Sequence, residues 1–278
     1  MRIHAAGNRE TTILIFVIML ASVQMGGGFI MCAPAVSSLV NQIQSRSLKG
    51  LVLKALDGRK AFFHECDEEG TDCFRVYHGA TEGTEGLTID RYGNTLLFQT
   101  FRDPSFLQEG SIEVIKEIEE LVNQKLNSNL RAVVSHRGKG DKEFPQGRIY
   151  QNVQQAIHED LVMIKNEQMI GKEQGVVFDV SPRPGKDPWL YLDFRAGRRW
   201  LKNHSKGKRV LNAFSYSCTA GICAAVGGAE SVWNLDFSPG ALDVGEKNAK
   251  LNKIEVKTAG VGVKGWPSGG FRCETCST

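Results

Sequence analysis

The stretch VLNAFSYSCTAGICAAVGGAESVWNLD, residues 210–236, has the layout of a nucleotide-binding crossover. An apolar run over 209–214 reads as a strand and leads into a loop of small residues. A helix of small side chains follows over 219–226 and stops at Gly227-Gly228, and a second apolar run over 231–236 ends in Asp236. A right-handed unit of this kind sets the loop after its first strand against the N-terminus of the next helix, where unpaired amides attract carboxylate or phosphate. Asp236 closes the second strand and faces the same crevice. It stands about 20 residues beyond the loop, the offset at which a carboxylate takes both hydroxyls of an adenosine ribose.

The loop composition narrows the choice of ligand. A dinucleotide pyrophosphate requires close backbone approach through G-x-G-x-x-G, and those glycines are missing, which counts against an NAD-dependent oxidoreductase. A cofactor that turns an amino-acid end to the loop makes a weaker demand, and S-adenosylmethionine (SAM) fits that description. Taken alone, this pattern leaves other α/β crossovers open.

Outward from the crossover, residues 239–252 read as a second helix started from Ser238. Upstream, 175–180 read as a strand, 181–188 as a Pro- and Gly-rich turn, and 189–201 as a strand running into a helix that carries Arg195, Arg198 and Arg199. Residues 171–255 therefore predict the first half of an α/β, Rossmann-like domain. Residues 45–168 predict a small α+β module. In it, 48–99 read as short strands with turns, including a hairpin at Tyr92-Gly93-Asn94. Ile112, Ile115, Ile118, Val122 and Leu126 form one face of an amphipathic helix over 111–127, for which Ser111 is a plausible cap, and 130–134 follow as a strand. The loop beyond gathers His136, Arg137, Lys139 and Lys142, a candidate RNA-backbone contact or a solvated turn.

Composition bounds these readings. The chain has 278 residues, is 41% hydrophobic and 23% charged, and carries a net charge of +3. That is a folded protein whose charge permits an acidic partner without demanding one. Seven cysteines, an odd number, do not make a disulfide framework. Cys273 and Cys276 form a lone C-x-x-C without a second ligand pair, so no metal site is predicted. Residues 13–23 are continuously apolar behind Arg2 and Arg9, and the apolar character resumes to Val36. Residues 1–36 are thus a hydrophobic leader with three open readings: a membrane anchor through 13–36, a targeting segment, or upstream sequence joined to a protein that starts near Met31. The first two imply membrane or organelle placement and the third a cytoplasmic one.

Residues 210–255 resemble the SAM-binding motifs of the class I methyltransferase family that includes the bacterial 23S ribosomal RNA cytosine-5 methyltransferases. The shared features are V-L-N-x-F-S-Y, G-G-A, N-x-D-x-S and the helix A-L-x-x-G-x-x-N-x-x-L-N. Upstream, residues 192–201 are similar to the family's L-D-x-R-x-x-R-x-x-L, and residues 75–93 to the R-x-x-H-G…G-L-T-I-D-R-Y-G of its central RNA-binding module, which implies that role for residues 45–168. The resemblance implies a SAM-dependent RNA methyltransferase. It implies that Phe214, Ser215 and Tyr216 line the methionine end, Asp236 holds the ribose, Phe237 lies near adenine, and Asp193 and Arg195 complete the pocket. Blander readings stand beside these: Phe214 as core, Asp193 with Arg195 as a structural ion pair, and Arg198 or Arg199 as solvated charge.

The sequence also departs from the family. Residues 217–221, Ser-Cys-Thr-Ala-Gly, replace its usual T-G-G-F or T-C-x-F run, and no D-P-P occurs anywhere in the chain. No catalytic residue is therefore assigned. Residues 256–278 read as a tail foreign to the family, and the chain as a truncated relative. The alternative is a catalytically inactive RNA-binding or membrane-anchored remnant.

Overall fold

Apolar positions at Leu48, Leu51, Val52, Ala55 and Leu56 repeat at helical spacing, and they form the first described helix. The computed structural model describes residues 47–101, 111–137, 149–151, 169–181, 183 and 188–260. All of them belong to one compact unit that starts at Ser47. The leader over 1–36 lies outside the described residues, as do Cys273 and Cys276. Among the described residues no helix is long and apolar enough to cross a membrane.

The first elements correct the expectation of short strands from residue 48. Helix α1 (Leu48–Gly58) is capped by Ser47, whose hydroxyl accepts the Gly50 N–H at 3.1 Å, and α2 (Lys60–Glu68) follows after Arg59. Strand β1 (Cys73–His78), the short helix α3 (Gly79–Glu82), and strands β2 (Leu87–Tyr92) and β3 (Thr95–Thr100) come next. β2 and β3 are the expected hairpin, with Tyr92 opposite Thr95 across Gly93, whose φ is 59°. The amphipathic stretch forms α4 (Ser111–Leu126), which crosses to β4 (Arg131–His136), parallel to β3; β5 (Ile149–Gln151) closes the sheet order β1-β2-β3-β4-β5. One face of this sheet is sealed by α1 and α4. Ile115, Ile118 and Val122 of the predicted stripe are buried there against Val76, Ile89, Leu96, Phe98 and Val134.

A two-stranded ribbon, β6 (Ile170–Glu173) with β7 (Val176–Asp179), leads into the second half. Gln174 and Gly175 join the strands with φ of 51° and 76°, the left-handed pair that a two-residue hairpin turn requires. The strand expected to begin at residue 189 is instead a bend followed by a 3-10 turn over Leu192–Phe194, which winds directly into α5 (Arg195–His204). The crossover then stands as read: β8 (Arg209–Ala213), α6 (Thr219–Val226), β9 (Ser231–Asp236) and α7 (Pro239–Leu251), the last capped by the Ser238 side chain.

Residues 257–260 overturn the view of everything past 255 as foreign to the fold. β10 (Lys257–Gly260) pairs parallel with β9, so the sheet runs β10-β9-β8 and β9 is hydrogen-bonded on both sides. A second core joins the two halves. Cys73, Tyr92, Leu97 and Val133 from the first sheet pack with Phe178, Leu190, Ile222 and Leu242. The far face of the parallel sheet carries Leu211, 65% exposed, and Trp233. Parallel sheets are ordinarily covered on both faces, so this one is half covered among the described residues.

Candidate functional site

The loop between β8 and α6 holds a conformation that its residue types do not favour. Phe214, Tyr216 and Cys218 have φ of 58°, 50° and 60°. None is glycine, and a left-handed backbone at such residues costs on the order of 1–2 kcal/mol each. Hydrogen bonds hold it there: Ser215 N–H donates to the Leu235 carbonyl at 2.9 Å, Tyr216 N–H to Asp236 Oδ2 at 2.7 Å, and Cys218 N–H to the Ser215 carbonyl at 2.8 Å. The tight turn that glycines usually make is therefore imposed by the neighbouring strand end.

Asp236 is the hub. Its second oxygen, Oδ1, accepts the Ser238 N–H at 2.9 Å, so one buried carboxylate joins the loop, the end of β9 and the start of α7. Each oxygen keeps a further acceptor direction, which is the pair of acceptors that two ribose hydroxyls, as donors, require. The two aromatic residues beside it are not core. Phe214 is 84% exposed and Phe237 66%, which overturns the reading of Phe214 as core packing.

The motif of α7 has a structural cause. Ala241 and Leu242 are buried, and a Cβ added at Gly245 would stand 2.3 Å from Cys218 Sγ, so only glycine lets the helix approach the loop. Asn248 donates to the Ser217 carbonyl at 3.0 Å and accepts the Asp179 N–H at 2.8 Å. Asn252 accepts the Val177 N–H at 2.9 Å and donates back to the Val177 carbonyl at 2.6 Å. Two asparagines thus tie β7, the helix and the loop together. Gly221 plays the matching part in α6, where a Cβ would meet Asn234 Oδ1 at 2.1 Å.

A wall that the sequence reading missed completes the crevice. The Tyr216 ring lies 5.4 Å from Trp189 and 5.0 Å from Tyr191, centroid to centroid, and the Arg183 guanidinium sits 3.6 Å from the Trp189 centroid while bonding the Tyr216 hydroxyl. The Ser217 hydroxyl donates to the Trp189 carbonyl. The only advance signal was the aromatic character of Trp189-Leu190-Tyr191.

The remaining site residues fall elsewhere. Arg195 donates to Cys66 Sγ at 3.0 Å and lies 4.7 Å from the Phe62 centroid, so it is turned towards α2 and makes no ion pair with Asp193 among the described residues. Both line a separate groove against the first sheet. Arg198 is buried, with its guanidinium on Glu173 at 2.6 and 2.7 Å, and Arg199 pairs with Glu65 and Glu69, so neither is solvated charge. Of the basic loop, His136 ends β4 and Arg137 follows with its guanidinium 5.1 Å from the Phe101 centroid; Lys139 and Lys142 lie outside the described residues.

The thiols here are quiet. Burial pushes Cys218 up to about 11 and Cys223 up to about 12, and it raises Cys66 and Cys73 as well. None of these four is a ready thiolate nucleophile at neutral pH. Iodoacetamide at neutral pH is expected to leave Cys218 and Cys223 unmodified in the native chain and to label both after unfolding, as read by peptide mass spectrometry. Because the folded pKa values lie above the ordinary 9.0, the stability they contribute is complete below pH 9 and declines as pH rises towards 11.

The parallel strands β8, β9 and β10 with α6 and α7 form a partial Rossmann-like fold. Residues 158–265 match the model of the S-adenosylmethionine-dependent methyltransferase family. It is 31% identical over 192 residues to ribosomal RNA large subunit methyltransferase I of Cronobacter sakazakii, covering 69% of this chain and 45% of the relative. It is likewise 31% identical over 202 residues to a ribosomal RNA large subunit methyltransferase of Deinococcus radiodurans, covering 71% and 46%. The chain spans about half the length of the curated relatives it matches. Among solved structures, a candidate methyltransferase crystallised with SAH superposes with a TM-score of 0.59 at 23% identity, covering 77% of this chain and 51% of that one. A candidate SAM-dependent methyltransferase from Streptococcus mutans gives 0.57 at 22%, covering 77% and 52%. At these identities the superpositions speak for the fold.

Proposed function

We propose that this chain binds S-adenosylmethionine in the crevice between the 214–218 loop and Asp236, and that the methyl acceptor is RNA, as the names of the relatives suggest. The observation that carries the cofactor reading is the Asp236 carboxylate. It is buried, pinned by two backbone N–H groups, and oriented at the end of β9 to receive two hydroxyls. Phe214 and Phe237, both exposed, offer the apolar surface an adenosyl group covers.

SAM, when bound, supplies an activated methyl group on a sulfonium. The chain's own residues bind and orient. Asp236 fixes the ribose, the loop held by Leu235 and Asp236 shapes the methionine end, and the Trp189–Tyr216–Tyr191 wall excludes water. No general base is assigned, and the raised Cys218 and Cys223 thiols do not supply a nucleophile. The test is tritium transfer from methyl-labelled SAM to deproteinised large-subunit ribosomal RNA. Incorporation into RNA is expected; a folded chain that binds SAM yet labels no RNA contradicts the assigned acceptor.

A further inference from the structure

The face of the first sheet turned away from α1 and α4 carries a polar row. Strand register sets His78 beside Thr88, Thr88 beside Gln99, and Gln99 beside Ser135, so four strands contribute to one line across the sheet. A bulge in β1 makes this possible. The register shifts between Arg75 and Tyr77, Val76 and Tyr77 both enter the helix-side core, and Arg75 and His78 both line the groove on the other side.

Gln99 is 3% exposed, and its side-chain nitrogen has no hydrogen-bond partner. The buried hydroxyls of Thr88 and Ser135, its neighbours on either side, have none either. Buried polar atoms in folded proteins nearly always find partners, so three neighbouring ones without any mark a place where partners come from outside. Gln99 lines a groove of about 820 Å³ that is also lined by Tyr191, Asp193 and Arg195. Tyr191 is 45% exposed, and its other contact is the Tyr216 ring of the cofactor loop, so groove and crevice share a wall. Arg195, bonded to Cys66 Sγ and packed on Phe62, has no carboxylate partner among the described residues and adds positive charge to the lining.

We propose that this groove holds one unstacked nucleotide of the substrate RNA, an assignment that rests on the RNA reading above. The Gln99 amide, which lines the groove, offers both a donor and an acceptor to a base edge. A half-exposed tyrosine offers a stacking surface, and a guanidinium meets the phosphate. The groove shares Tyr191 with the cofactor loop, so a base held in it would position the strand.

The test is fluorescence anisotropy of the full chain with a labelled single-stranded oligoribonucleotide. Gln99→Leu is expected to weaken binding about tenfold, the scale of losing an amide-to-base contact, while circular dichroism, thermal stability and SAM binding are kept. Tyr191→Ala, a surface change that keeps the fold should Gln99→Leu disturb it, is expected to weaken RNA binding by a similar factor. Equal affinity of either folded variant and the parent overturns the groove assignment and leaves the RNA reading standing. A parent chain that binds no RNA overturns both. Nucleoside monophosphates are expected to compete only weakly; competition at the affinity of the RNA would make a free nucleotide the ligand and sink the RNA assignment.

Discussion

Asp236→Ala is expected to weaken S-adenosylmethionine binding at least about a hundredfold, since two hydroxyl bonds to an ionised acceptor contribute on the order of 3 kcal/mol together and each 1.4 kcal/mol is tenfold. The same carboxylate anchors Tyr216 and Ser238 through their N–H groups, at 2.7 and 2.9 Å. Its removal therefore also releases a loop with three left-handed non-glycine residues. Asp236→Asn separates the two effects. An amide oxygen still accepts one of the anchoring bonds, so loop order is largely kept while the charge that favours the ribose is lost, and about a tenfold loss is expected. Calorimetric titration of each variant, with circular dichroism as the folding control, reads both. Unchanged affinity in Asp236→Ala would remove the ribose from this carboxylate.

The second large effect lies behind the site. Arg198 and Glu173 are 2% and 3% exposed in their side chains, and the guanidinium also donates to the Tyr191 carbonyl at 2.7 Å. Breaking a buried pair on one side strands the other charge, at a cost of about 3–5 kcal/mol. Glu173→Gln is therefore expected to lower the unfolding free energy by roughly that amount in urea titrations. The double replacement Glu173→Leu with Arg198→Met is expected to recover most of it, because no charge then remains buried. Because Arg198 also holds Tyr191, the single variant should loosen the aromatic wall of the crevice. Equal stability of Glu173→Gln and the parent chain would show that the pair is wet.

What could be read in advance follows from where the physical cause of each feature lies. The crossover was legible because its causes are local: apolar runs over 209–213 and 231–236, a Gly-Gly stop, and Ser238 as cap. Helices α1 and α2 were not read as helices, since their apolar stripe is interleaved with Lys, Asp and Arg and is sealed by β1 and by α4, the latter some 60 residues on. β10 was hidden because Lys-Thr-Ala-Gly has no strand signature, and pairing with β9 alone makes it one.

The site divides in the same way. Asp236 was legible from its offset to the loop. The loop's handedness was not, because Leu235 and Asp236 impose it from the next strand rather than glycines within it. Arg198 passed for surface charge because its partner is on β6, 25 residues upstream. Asp193 and Arg195 were expected to complete the cofactor pocket, yet the turn over Leu192–Phe194 sends them to the groove beside Gln99.

Titration of the purified chain with S-adenosylmethionine in a calorimeter decides most of this. The account predicts saturable heat with one site per chain, reproduced by S-adenosylhomocysteine and lost in Asp236→Ala. No binding heat from a chain whose circular dichroism reports the helices and strands described would contradict it.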